Sequence, residues 1–283
     1  MVIKELIAET VAFLKKHNNE NPVFEAHVIA RTILNLSPMD IVLKGNNEIE
    51  PETIQQIRKI ASKRISGEPL QYILGTQEFM GLEFSVNPSV LIPRKDTEIL
   101  VEYVLEYFAG KPITVLDLCT GSGCIGISIA HFNKNALVTG LDISPKAIET
   151  AKDNSKKLNV SDRVSFKTCD VFNMDFFGKF DLIISNPPYI ESDVIPTLSE
   201  TVKDFEPISA LDGGTDGLNF YRHITNIAPK YLNKNGMLAF EIGYNQKDSV
   251  SKMLEGSFTD INSLKDYSSN YRVVSGILKG VSQ

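Results

Sequence analysis

"ITVLDLCTGSGCIG", residues 113–126, runs from an aliphatic, β-branched segment into a cluster of small residues and out into a second apolar run. Strand character over 113–118, followed by Gly121, Gly123 and Gly126 at G-x-G-x-x-G spacing, is the strand–turn–helix pattern that receives nucleoside-containing cofactors. Asp142 closes the next strand-like segment, sixteen residues beyond Gly126, where a carboxylate meets ribose hydroxyls. The pattern specifies a class of ligand rather than one ligand.

The same alternation extends downstream. Strand-like segments are ITVLDLCT (113–120), ALVTGLDI (136–143), VSFKTCDV (164–171), FDLIISN (180–186) and GMLAFEI (236–242). Helical patterns fall between most of them, at 123–132, 145–158, 216–231 and 246–254, which predicts a parallel sheet covered by helices on both faces. SFTDINSLKDY and YRVVSGILKG lack a helix between them and are expected to pair antiparallel at the sheet edge.

Upstream the periodicity is helical. Ile3, Leu6, Ile7, Val11 and Leu14 share one face, and Asn21-Pro22 opens a run through Ala26, Ile29, Ala30, Ile33 and Leu34. Ser37-Pro38 starts a short third helix and Pro51 heads a fourth, with Ile54, Ile57 and Ile60 on one face. Turn residues and short apolar stretches from Gly67 to Pro93 predict a β-hairpin, and a helix follows over roughly 96–108. The expected organisation is a helical domain over 1–70, a hairpin linker over 71–93 and an α/β domain over 94–283.

Hydrophobic residues at 42% and charged residues at 23% describe an ordinary globular protein. No run of about 18 apolar residues is present to span a membrane, and MVIKELIAETVAFLKKHNNE at the start is amphipathic without a signal-peptide core. A cytoplasmic protein without a membrane partner is expected. A net charge of −6 with pI near 5.4 argues against a phosphate backbone as the main ligand, so no direct nucleic-acid partner is expected. Cys119, Cys124 and Cys169 lie inside apolar patterns without a surrounding ligand cluster; they read as reduced, buried residues, with no metal site.

Asp117 narrows the ligand. A carboxylate two residues before the turn repels a pyrophosphate but suits a cation, such as the sulfonium and ammonium of S-adenosylmethionine. That cofactor has no phosphates, so glycines in the turn serve close backbone approach. Asp170, ending the third strand, offers an acceptor for an adenine amino group. Any one of these acids could simply cap a helix or a turn, but three at the carboxyl ends of successive strands lie where open α/β sheets bind ligands.

FDLIISNPPYI, residues 180–190, supplies the second half of the chemistry. An amide or aromatic NH₂ is a poor nucleophile because its lone pair is delocalised. Acceptors that hold both N–H protons favour a pyramidal nitrogen, and the Asn186 side-chain oxygen and the Pro187 carbonyl are of that kind. Pro187 and Pro188 stiffen the turn and remove competing donors, while Tyr189 can stack on a flat group.

Together these features resemble a class I S-adenosylmethionine-dependent methyltransferase, with a Rossmann-like seven-stranded domain, acting on a planar nitrogen. Asn186-Pro187-Pro188-Tyr189 is shared by adenine-N6 DNA methyltransferases and protein-glutamine N5 methyltransferases. Gly67-Glu68-Pro69-Leu70-Gln71-Tyr72-Ile73-Leu74-Gly75 and Leu91-Ile92-Pro93-Arg94-Lys95-Asp96-Thr97-Glu98 resemble the HemK/PrmC-type release factor glutamine methyltransferases in particular. So do Glu206-Pro207, Asp216-Gly217-Leu218, Glu241-Ile242-Gly243 with Gln246, and Arg272-Val273-Val274-Ser275-Gly276. The resemblance implies class-1 peptide chain release factors as protein substrate, with the glutamine of their Gly-Gly-Gln motif held at Asn186, Pro187, Pro188 and Tyr189. It implies S-adenosylmethionine at Cys119, Thr120, Gly121, Ser122, Gly123, Asp142, Val171 and Asn186, with S-adenosylhomocysteine as product, and a docking role for the helical domain. A direct in-line transfer by a monomer, without metal or covalent enzyme intermediate, is the expected mechanism.

Three positions depart from the family pattern. Cys119 stands where glycine is usual, so a negative φ is expected there; Lys95 replaces a proline, and Val171 a larger aromatic. Rival readings are a ribosomal-protein glutamine methyltransferase, a DNA adenine-N6 methyltransferase, which would want a basic recognition region, and a dinucleotide-dependent dehydrogenase, which leaves residues 186–189 unexplained.

Overall fold

The computed structural model describes residues 1–175 and 178–280. Two compact units divide the chain, one through Thr76 and one from Gln77 onward.

The first unit consists of helices α1 (Ile3–Lys16), α2 (Pro22–Leu34), α3 (Pro38–Lys44), α4 (Pro51–Arg64) and α5 (Leu70–Leu74). Proline opens α2, α3 and α4, where its missing N–H has no helical partner to lose. Ser37 and Asp40 form a reciprocal capping box at α3. Leu6, Leu14, Ile29 and Ile57 fill the core.

Residues 71–93, expected as a linker, divide between the units. Ile73 and Leu74 pack against the helical core through α5, whereas β1 (Thr76–Phe79) and β2 (Leu82–Ser85) bury Phe79 and Phe84 in the core of the second unit. Met80 and Gly81 at the hairpin tip both have positive φ, the geometry that matches the twist of a two-residue hairpin. Buried Asn154 clamps this hairpin: its Oδ1 accepts from Ser85 N at 2.7 Å, and its Nδ2 donates to Ser85 O at 3.0 Å and to Ser122 O at 2.9 Å.

The second unit continues with α6 (Lys95–Tyr107), β3 (Ile113–Leu118), α7 (Cys124–Phe132), β4 (Ala136–Asp142), α8 (Pro145–Lys157), β5 (Val164–Thr168) and β6 (Phe180–Ser185). After α9 (Glu200–Lys203) come α10 (Asn219–Tyr231), β7 (Leu232–Glu241), α11 (Lys247–Leu254), β8 (Phe258–Lys265) and β9 (Tyr271–Leu278). Seven strands form one sheet in the order β5-β4-β3-β6-β7-β9-β8, parallel except where β9 pairs antiparallel with β7 and β8. Strand order reverses between β3 and β6, which opens a crevice at their carboxyl ends.

Alternation along the strands sorts side chains into two helix layers. Val115, Leu182, Ile184, Met237 and Ala239 pack with α6, α7 and α8, while Leu116, Leu118, Ile183, Leu238 and Phe240 pack with α10 and α11. Phe84 is fully buried against Phe79 in an edge-on pair at 6.0 Å. Phe84→Ala is expected to lower the unfolding free energy of the second unit by about 3–5 kcal/mol, measured by denaturant titration.

Candidate active site

The turn after β3 is built on left-handed backbone. Cys119, Gly121 and Gly123 have φ of 59°, 55° and 80°. The negative φ expected at Cys119 is thus corrected: the turn needs a left-handed residue there, a conformation glycine adopts freely and cysteine adopts under strain. Gly121 faces open space. Gly123 has no room for a side chain, since a Cβ would stand 2.8 Å from Ile127 Cδ1 and 3.0 Å from Phe166 Cζ. At Gly126 a Cβ would lie 2.8 Å from Val138 Cγ1, so this glycine lets α7 approach the sheet.

Asp117 is not on the ligand side of this turn. Alternation from Val115 points it into the α7 layer, where it is fully buried. Its Oδ2 accepts from Thr120 Oγ1 at 2.5 Å and from Gly126 N at 3.1 Å, while Oδ1 is buried without a partner. Burial pushes its pKa up to about 7, against the two hydrogen bonds. Asp117 therefore shapes the turn from behind.

A cavity of about 470 Å³ lies over the carboxyl ends of β3, β4, β5 and β6. Cys119, Thr120, Gly121, Ser122, Asp142, Asp170, Val171, Asn186 and Pro188 line it; Asp117, Gly123, Pro187 and Tyr189 do not. Asp142 Oδ2 accepts from Gly121 N and Oδ1 from Ser144 N, both at 2.9 Å, tying the glycine turn to the head of α8. Burial raises its pKa against those bonds. Asp170 accepts from Phe172 N at 2.9 Å and Asn173 Nδ2 at 2.7 Å. Both acids thus perform the local capping that was the simpler reading of them, and both still border the cavity. Phe172 and Phe220, 4.9 Å apart, and Ile208 add apolar wall that the motifs do not announce. Burial raises the Cys119 thiol well above its ordinary value, so it is neutral.

Asn186 leaves β6 with its Nδ2 donating to Thr97 Oγ1 at 3.3 Å. The chain beyond it is gripped by distant segments. Gln246 Nε2 donates to Tyr189 O at 2.9 Å and its Oε1 accepts from Gly243 N at 2.9 Å. Ile190 N donates to Leu211 O, and Gly213 N donates to Ile190 O. Gly213 and Gly217 permit this approach, because a Cβ would stand 2.7 Å from Tyr189 Cα at the first and 2.3 Å from Tyr189 O at the second. Burial raises the Tyr189 phenol well above its ordinary pKa.

The segment 91–98 closes the site from α6. Arg94 pairs with Glu206, Asp96 with Arg272 at 3.0 Å, and Glu98 Oε1 accepts from Met80 N at 2.8 Å. Thr97, which lines the cavity and accepts from Asn186, and Glu241, at the end of β7, are both 2% exposed. Neither stood among the residues expected at the site; a glutamate closing the apolar run MLAFE was the available signal.

Two family models match the chain: a PrmC N-terminal domain over residues 5–75 and a methyltransferase domain over residues 110–275. A release factor glutamine methyltransferase of Clostridium acetobutylicum is 41% identical over 285 residues, covering 99% of this chain and 100% of that protein. Another, from Geobacter sulfurreducens, is 39% identical and covers 97% and 96%. Among solved structures, a methyltransferase from Pyrococcus furiosus has a TM-score of 0.53 at 19% identity over 80% of this chain and 98% of that one. At that identity the likeness concerns the fold alone.

Gly217 combines a φ of 69° with the close approach to Tyr189 O. Gly217→Ala should cost at least about 1–3 kcal/mol of stability. Gly256→Ala, where a Cβ meets nothing within 4 Å, should be near neutral in the same thermal unfolding experiment.

Proposed function

The chain belongs to the family of release factor glutamine methyltransferases, and on that premise we propose that it methylates the glutamine side-chain nitrogen of the Gly-Gly-Gln motif in class-1 peptide chain release factors, with S-adenosylmethionine as donor. The observation that carries the reading is Asn186, standing on the cavity wall opposite the glycine turn with its Nδ2 engaged by Thr97, which leaves Oδ1 to accept from a substrate N–H.

The residues present fit this donor. Among the described residues the cavity lining carries Asp142, Asp170 and Asp212 but no Lys or Arg, which suits a cationic, phosphate-free molecule and disfavours a pyrophosphate. Gly121 leaves the space that close backbone approach requires. Cys119 to Gly123, Asp142, Asp170 and Val171 would hold the molecule, with Asp117 setting the turn from behind. When bound, S-adenosylmethionine supplies a methyl group on a positively charged sulfur.

The remaining work belongs to the chain. Asn186 Oδ1 and the Pro187 carbonyl accept the two N–H bonds of the substrate amide, which weakens conjugation and turns the nitrogen lone pair toward the methyl group. Pro187 and Pro188, both buried, keep those acceptors in place, and Tyr189 flanks the substrate side chain. Holding the reactants in line supplies much of the rate, and the surplus proton leaves to water.

The helical unit docks the release factor, and its exposed Val23, Phe24, Met39, Val42 and Leu43 offer apolar contact area. Among the described residues no helix is long and apolar enough to cross a membrane. A substrate from translation sets the workplace as the cytoplasm, where the protein acts as a monomer without gripping nucleic acid.

Asn186→Ala should lower kcat by about 10²–10³-fold while S-adenosylhomocysteine binding, followed by calorimetry, stays near wild type; equal loss of both would contradict the role given to Asn186. Asp142→Ala should do the reverse, weakening cofactor binding on the order of 10–100-fold. Incubation with labelled S-adenosylmethionine, release factor, ribosomal protein and DNA, followed by mapping of the label, tests the substrate. Label on the release factor glutamine is expected, and label on DNA adenine overturns the reading.

A further inference from the structure

We propose that Phe172 and Phe220 form an aromatic wall on which the adenine of S-adenosylmethionine stacks, supplying the ring surface that Val171 lacks. The inference rests on the donor named above.

The order of the strands fixes where the base lies. The methyl group must reach Asn186 at the end of β6, and the sheet continues from there through β3 and β4 to β5. A donor held at the glycine turn after β3 and at Asp142 ending β4 therefore carries its base toward the end of β5, where Cys169 to Phe172 line the cavity. A purine presents polar edges and two flat faces. Asp170 serves an edge: its oxygens accept one hydrogen bond each, from Phe172 N and Asn173 Nδ2, which leaves lone pairs for an amino group. The face needs a ring.

Val171 does not provide one. It is aliphatic, 6% exposed and packed into the core layer that holds Tyr221, Ile224 and Tyr231 of α10. Phe172 is the opposite case, 42% exposed although large and apolar, and it lines the cavity. Phe220, in the first turn of α10, also lines the cavity and stands against Phe172 with ring centres 4.9 Å apart. His223, one turn further, meets the Phe172 ring at 4.8 Å. A phenylalanine placed only to pack on α10 would be covered by it. The exposed part of Phe172 is apolar ring surface left for a flat partner.

The turn that carries Phe172 is fastened at both ends to α10. His223 Nε2 lies 2.9 Å from Val171 O, and because a carbonyl only accepts, Nε2 carries the proton. Tyr231, about two turns along the same helix, donates its hydroxyl to Met174 O at 3.0 Å. Phe220 belongs to α10 itself, so both rings are carried by one rigid element. A wall ordered before the ligand arrives spares the entropy of ordering it at binding.

The test is binding of S-adenosylhomocysteine to the full chain, followed by calorimetry and by fluorescence. Phe172→Ala and Phe172→Leu should both bind about 5–100-fold more weakly than wild type, and Phe220→Ala should bind more weakly as well. Leucine keeps apolar bulk without a ring face, so it separates stacking from simple filling of space. The sequence contains no tryptophan, so Phe172→Trp places a single one at the wall. That variant should bind as tightly as wild type, and its fluorescence should be quenched when the ligand is added. Thermal unfolding without ligand checks that each variant folds; should Phe172→Ala fail, Phe172→Leu and Phe172→Trp decide. Full affinity in Phe172→Leu or Phe220→Ala, or fluorescence of Phe172→Trp unmoved by saturating ligand, overturns the wall. A wild type that does not bind S-adenosylhomocysteine defeats the donor assignment beneath it instead.

Discussion

Everything that touches the cavity depends on the reversal of strand order between β3 and β6. Because the chain leaves these neighbours in opposite directions, a crevice opens at their carboxyl ends. The glycine turn after β3 and Asn186 and Pro188 after β6 come to lie on the walls of one crevice. Donor and acceptor of a methyl group need that arrangement, since in-line transfer requires two molecules to enter from different sides.

The crevice costs the chain its usual backbone pairing. Pro187 and Pro188 cannot extend β6, so the polar groups of residues 189–190 need partners from elsewhere. Gln246, Leu211 and Gly213 supply them, and Gly213 and Gly217 withdraw their side chains so that the strands of chain can touch. Segments far apart in sequence are therefore bound to the same few atoms. The family resemblance of Asp216-Gly217-Leu218 and of Glu241-Ile242-Gly243 with Gln246 has this physical content.

Carboxylates illustrate how the same residue type is put to different use. Asp142 and Asp170 border the cavity and cap the backbone at once, because their strands end there and both oxygens reach backbone or side-chain N–H groups. Asp117 and Glu241 point the other way, into the α6–α7 layer, and keep one unpartnered oxygen each. Desolvation there raises both pKa values.

Local sequence was sufficient for the main elements, though not for the short helices α5 and α9, and for the parallel sheet with its antiparallel edge, the glycine turn and the motif at 186–189. Periodicity, proline placement and glycine spacing act within a few residues of chain, so they can be read there. Three things needed the tertiary structure: the left-handed backbone of Cys119, the direction of Asp117, and the meeting of Thr97 with Asn186. The turn imposes a φ that cysteine would not choose, strand parity sends Asp117 behind the turn, and the contact of Thr97 joins residues 89 positions apart. Sequence determined which groups are present at the crevice. Packing of α6 against the sheet decided which of them meet, bringing the Thr97 hydroxyl to the Asn186 amide.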